Sequence, residues 1–119
     1  MKLVYIAGPF RGANQWEQFQ NIREAETLAL DVWRAGAAAI CPHSNTAHFQ
    51  GALPNGVWLA GDLEMLRRCD AVMLTQRWRQ SVGACAEVAE AEDAGLLIFD
   101  DLEHLQLWLD SEGGADNEN

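Results

Sequence analysis

The sequence predicts a small α/β domain, a doubly wound parallel sheet of four to five strands with helices on both faces. Short apolar runs at residues 3–7, 37–41, 70–75 and 96–99 alternate with longer stretches of helical periodicity, the pattern of parallel strands joined by crossover helices. At 119 residues the chain has room for one core. Its hydrophobic content of 49% with 22% charged residues is that of a globular protein.

The first run, Leu-Val-Tyr-Ile-Ala, is β-rich and stops at Gly8-Pro9, as a buried strand feeding a loop does. Over residues 15–35, Trp16, Phe19, Ile22, Ala25, Leu28, Ala29, Val32 and Trp33 recur at steps of three and four, an amphipathic helix closed by Gly36. On this periodicity Trp16, Trp33 and the later Trp108 are expected in the core. A second strand over residues 37–41 ends at Pro42. Residues 43–56 hold turn formers and no periodicity, so a long loop is expected, of the kind that often carries function. A second helix follows over 57–68. The third strand, around Ala71-Val72-Met73-Leu74, is too apolar for an exposed edge. After a loop at 76–80, Ser81 stands as N-cap before a helix to about residue 94, and Gly95 ends it ahead of the fourth strand. A last helix is expected over 102–109. Residues 1–111 thus form the domain, and the acidic segment 112–119 is expected to be a disordered tail. The winding is flavodoxin-like or Rossmann-like.

Charge narrows the partners. Eight Lys and Arg against eighteen Asp and Glu leave a net charge of −10, which repels the backbone of duplex nucleic acid. A small anion binds such a chain only where cations and backbone N–H groups concentrate locally. No apolar run approaches the roughly 18 to 20 residues that span a bilayer, so neither a membrane nor secretion is expected, and the chain is read as cytoplasmic. Cys41, Cys69 and Cys85 form no C-x-x-C pair, and His43 and His48 have no third ligand at a recognisable spacing, so neither a zinc site nor a disulfide framework is expected.

In doubly wound folds ligands bind beyond the carboxyl ends of the strands. Three loops therefore matter. In the first, Gly8 and Gly12 let backbone approach a ligand, Arg11 offers a charged fork, and Tyr5 can direct its hydroxyl to the mouth of the sheet. A plain strand-to-helix turn with a solvated arginine and a core tyrosine fits the same spacing. It is neither a dinucleotide fingerprint nor a P-loop. In the third, Ser81 and Gly83 open a helix whose orphan N–H groups and dipole favour an anion. Glu87, near the end of the second turn, can reach back to the same crevice, or can be a solvated glutamate like Glu90 and Glu92. Asp62 is either the partner in a two-carboxylate site or surface decoration beside Glu64. Asp70 reads as a turn or capping residue. His43 and His48 either touch a ligand ring or hydrogen-bond within their loop, Trp58 and Trp78 can stack on a base, and Cys85 at a helix start is a second nucleophile candidate.

Taken together, Tyr5-x-x-Gly8-Pro9-x-Arg11, Asp62-Leu63-x-Met65-Leu66-x-x-Cys69-Asp70-Ala71-Val72 and Trp78-x-x-Ser81-x-Gly83-x-x-x-Glu87 resemble the nucleoside 2-deoxyribosyltransferase superfamily over residues 2–99, closest to its small phage- and prophage-associated branch. The resemblance implies hydrolysis or transfer at a 2-deoxyribosyl N-glycosidic bond without a cofactor; the alternative readings are transfer between bases on free nucleosides, or a non-catalytic nucleotide-binding or phage–host interaction module that keeps the pocket. Glu87 falls on the nucleophile, Asp62 on the residue that assists departure of the base, and Tyr5 on the residue that orients the glutamate. Gly8, Pro9, Phe10, Arg11, His43, Ser81 and Gly83 are the residues expected to bind the substrate. Members acting on free nucleosides are similar in placing an acid where Ser81 stands here. The serine and glycine instead resemble members that hydrolyse deoxynucleoside 5′-monophosphates, although Cys85 stands where those carry a further glycine. The resemblance also implies a homodimer or higher homo-oligomer.

Overall fold

The computed structural model describes residues 1–117. Its elements follow in the order β1 (Leu3–Ala7), α1 (Gln15–Arg34), β2 (Ala38–Ile40), α2 (Pro42–Asn45), α3 (Asn55–Arg67), β3 (Ala71–Leu74), α4 (Val82–Asp93), β4 (Leu97–Phe99) and α5 (Leu102–Asn117), with a 3₁₀ turn at Trp78–Gln80 before α4. All strand pairings are parallel, in the order β2-β1-β3-β4. Among the described residues the sheet has four strands, the lower of the expected numbers.

Side-chain alternation along β1 sorts the two cores. Val4 and Ile6 join Ala71 and Met73 of β3, Ala25, Ala29 and Val32 of α1, and Leu105 and Leu109 of α5 on one face. Tyr5 and Ala7 join Val72 and Leu74 of β3, Leu66 of α3, and Val88 and Ala91 of α4 on the other. Both central strands are buried, as their unbroken apolar runs require. Successive crossovers leave β1 toward β2 and return past it to β3, so the winding reverses between β1 and β3. The crevice beyond their carboxyl ends is where such a fold binds ligands.

Several expectations are corrected. Trp16 and Trp33 are 63% and 53% exposed, outside the core. The stripe of α1 that meets the sheet is Asn21, Ala25, Ala29 and Val32, while Trp16 and Phe19 stack on each other near its start, with ring centroids 5.8 Å apart. Small residues at that stripe let the helix lie close to the strands, and the bulky apolar residues at neighbouring steps of three and four point elsewhere. Trp108 does pack partly buried against the first core, next to Phe99. The expected loop at 43–56 begins with a helical turn, α2, which Pro42 starts and which buries His43. The last helix, expected over 102–109, spans Leu102–Asn117, and residues 118–119 lie outside the described residues. No described helix is long and apolar enough to cross a membrane.

Candidate active site

A cavity of about 500 Å³ opens at the β1–β3 reversal. Its wall contains Gly8, Pro9, Phe10, Arg11, His43, Asp62, Ser81, Gly83 and Glu87, so nine of the ten residues expected to be catalytic or substrate-binding meet in one place. The tenth, Tyr5, is fully buried directly behind Glu87.

Each is positioned by its element. Tyr5 lies on the α4 side of β1, and its hydroxyl donates a hydrogen bond to Glu87 Oε2 from the sheet below. Glu87 is 7% exposed on the inner side of α4, which settles the open choice against a solvated glutamate. Burial pushes its carboxyl up to about 8, and the charge of Asp62 adds to this while the Tyr5 hydrogen bond works against it. Asp62 is half-buried on α3, and burial pushes its carboxyl up to about 6. Burial and the neighbouring carboxylate push the Tyr5 phenol well above its ordinary value, so it stays a donor.

Ser81 caps α4, its Oγ accepting from Ala84 N at 3.1 Å. The N–H groups of Val82 and Gly83 belong to the first turn and find no acceptor among the described residues. Across the cavity, Gly8 lies against the side chain of Thr75, the residue after β3, and a Cβ there would lie 2.1 Å from Thr75 Oγ1. His43 Nε2 lies 3.0 Å from both the Gly8 and the Pro9 carbonyl oxygens, and two acceptors require that this nitrogen carry the hydrogen. Burial lowers the pKa of His43, so the ring is neutral. Arg11 is exposed and is the only Lys or Arg on the wall among the described residues.

Of the other candidates, all but Trp58 fall outside the cavity. Asp70 accepts from Leu3 N at 2.8 Å and ties the start of β3 to that of β1, as a capping residue. His48 is exposed and off the wall, Trp78 packs against the second core, and Cys85 is exposed with its thiol near the Trp78 and Arg79 carbonyls. Trp58 lines the cavity, with a buried indole Nε1 that has no partner among the described residues. Sequence reasoning missed Thr46, Gln50, Asn55 and Leu59 on the wall, because no motif marks them. It also missed Asn21, whose signal was present: a polar residue one step before Ala25, Ala29 and Val32 on the buried stripe.

The parallel sheet with this order gives the chain the fold of solved 2-deoxyribosyltransferases. The structure is similar to the 2-desoxiribosyltransferase from Leishmania mexicana, with a TM-score of 0.60 and 18% identity over 82% of this chain and 62% of that one. It is similar also to the 2-deoxyribosyltransferase of the psychrotolerant bacterium Bacillus psychrosaccharolyticus, with a TM-score of 0.59 and 16% identity over 87% of this chain and 90% of that one. The chain thus spans less than two thirds of the Leishmania protein. By sequence it belongs to the family described as domain of unknown function DUF4406, whose pattern matches residues 2–100. No curated protein matches it.

Proposed function

We propose that the chain cleaves the N-glycosidic bond of 2′-deoxyribonucleoside 5′-monophosphates. The observation that supports this best is that a buried carboxylate, Glu87, shares one cavity with the N-terminus of its own helix. Glu87 lies five positions after Val82, about 8 Å along the axis, a span comparable to a deoxyribose 5′-phosphate. A nucleotide whose phosphate meets Ser81, the Val82 and Gly83 N–H groups and Arg11 therefore brings C1′ toward Glu87.

In this reading the ionised Glu87 attacks C1′. The C1′–N bond breaks, its electrons leave with the base, and the base takes a proton from Asp62. The product is a glutamyl ester of the sugar, which water then resolves at C1′, giving its proton back to Asp62 and freeing Glu87. Tyr5 holds the attacking oxygen in place. Asp62, with its carboxyl near 6, keeps protonated and ionised forms both accessible near neutral pH, as a group that gives and then takes a proton needs. The names of the structural neighbours favour a second reading, transfer of the sugar to another base. Ser81 favours a nucleotide over a free nucleoside as substrate, since a carboxylate there would repel a phosphate.

Incubation with the common deoxynucleoside monophosphates, followed by chromatography, tests the proposal. Free base released by the wild type and not by Glu87→Ala is expected. No release with any base, or release undiminished in Glu87→Ala, overturns it. Formation of a new nucleoside on adding an acceptor base identifies transfer.

A further inference from the structure

Asn21 is 6% exposed and polar, on the face of α1 that otherwise carries alanine and valine into the core. Its hydrogen bonds all go to loops. The side-chain Nδ2 donates to the carbonyl of Phe10 at 3.3 Å and of Arg11 at 3.2 Å. Its Oδ1 accepts from a terminal guanidinium nitrogen of Arg77 at 2.7 Å, and the same nitrogen reaches Glu24 at 3.1 Å. The amide orientation is determined by its partners: carbonyls cannot donate and a guanidinium cannot accept. Arg77 stands in the β3–α4 loop that leads to Ser81, and it does not line the cavity.

From these contacts we propose that Asn21 and Arg77 are positioning residues, forming a latch that holds the β1–α1 loop against the β3–α4 loop. Four consecutive carbonyls of the first loop are then held by side chains, Gly8 and Pro9 by His43 and Phe10 and Arg11 by Asn21. The N–H groups of Phe10, Arg11 and Gly12 find no acceptor among the described residues. With the carbonyls occupied, the loop offers an incoming ligand donors and the Arg11 side chain. Arg77 fixes how far these lie from the donors at the start of α4. The latch thereby sets the spacing of the two loops before a ligand arrives, and on the nucleotide reading above it acts at the phosphate end of the cavity. Ordering a loop in advance lowers the entropy lost on binding.

Two measurements on the full chain test this. The first is backbone ¹⁵N relaxation of the ligand-free protein. Asn21→Ala and Arg77→Met are each expected to raise fast motion in residues 8–13 and 76–80 together, leaving β1 and β3 as rigid as in the wild type. Motion unchanged, or raised only in the loop that carries the substitution, overturns the latch. The second is affinity for a deoxynucleoside 5′-monophosphate against that for the same deoxynucleoside. Each variant is expected to lose about tenfold in nucleotide affinity with nucleoside affinity little changed, the size expected for a loop that must be ordered on binding. Arg77→Lys is expected to recover part of the loss, because both contacts use one nitrogen and an ammonium can donate to both acceptors. Equal losses for both ligands assign the pair a purely structural role and overturn positioning. A wild type that binds neither ligand overturns the nucleotide reading, and the coupled loop motion then decides the latch by itself.

Discussion

Replacing Tyr5 by phenylalanine deletes one oxygen from a fully buried position and leaves the ring that fills it. The oxygen removed is the donor to Glu87 Oε2. That bond favours the ionised carboxylate, against the burial that holds Glu87 near 8. A hydrogen bond to a charged acceptor contributes about 1.5–3 kcal/mol. At about 1.4 kcal/mol per pH unit, its loss moves the Glu87 midpoint up by about one to two pH units. At pH 7 roughly one wild-type molecule in ten carries the carboxylate, and in the variant about one in a hundred to one in a thousand. If the ionised carboxylate is the nucleophile, kcat/KM at pH 7 falls about 10- to 100-fold, and most of the loss returns as the pH is raised. The assay is release of base from a deoxynucleoside monophosphate across pH 5 to 10, paired with carboxyl ¹³C titration of the free protein, which needs no turnover. A variant profile that superimposes on the wild type, or a loss equal at every pH, refutes the assignment of Tyr5 as the group that keeps Glu87 ionisable.

Three further outcomes follow from the same geometry. Glu87 ionises near 4.5 in an unfolded chain and near 8 when folded, so unfolding releases a proton between those values, and stability drains away as pH rises through that window. Glu87→Gln removes this dependence; its stability advantage in urea melts should grow from pH 4.5 to 8, to at most about 5 kcal/mol, and then level off, with an advantage flat in pH counting against the buried carboxyl. Asp62 adds the same sign between 3.8 and about 6. Gly8→Ala places a Cβ 2.1 Å from Thr75 Oγ1 and 2.7 Å from its Cγ2, and should cost about 1–3 kcal/mol; adding Thr75→Ala, which removes both atoms, should restore part of it, and a strictly additive double variant would show the clash to be absent. Ser81→Asp keeps an N-cap while placing a carboxylate at the anion end, so thermal shifts should show affinity for deoxynucleoside monophosphates falling at least tenfold relative to free deoxynucleosides; an unchanged ratio would separate Ser81 from the phosphate.

Where the sequence reading of the fold succeeded and failed follows from what local pattern can encode. Strand β1 was legible to the residue, because an unbroken apolar run ending at Gly8-Pro9 has one reading in a parallel sheet. Helix α4 was legible within a residue from Ser81 and Gly95. Helix α1 was located correctly but turned the wrong way in part: steps of three and four fit more than one face, and only contact with the strands selects Asn21, Ala25, Ala29 and Val32 over Trp16 and Trp33. The turn of α2 was invisible, since four residues carry no period.

The same division runs through the candidate site. Periodicity, caps and breakers are properties of neighbours along the chain, and by themselves they determined the strand–helix alternation, the N-cap at Ser81 and which loops lie at the carboxyl ends of the strands. The tertiary structure alone decided that Glu87 is buried against a tyrosine 82 positions away, that His43 holds the Gly8 and Pro9 carbonyls, and that Arg77 reaches Asn21. The physical reason is that desolvation and hydrogen bonding between distant segments depend on which surfaces meet when the sheet is wound, and a carboxylate has the same local sequence signature whether it faces water or a buried phenol.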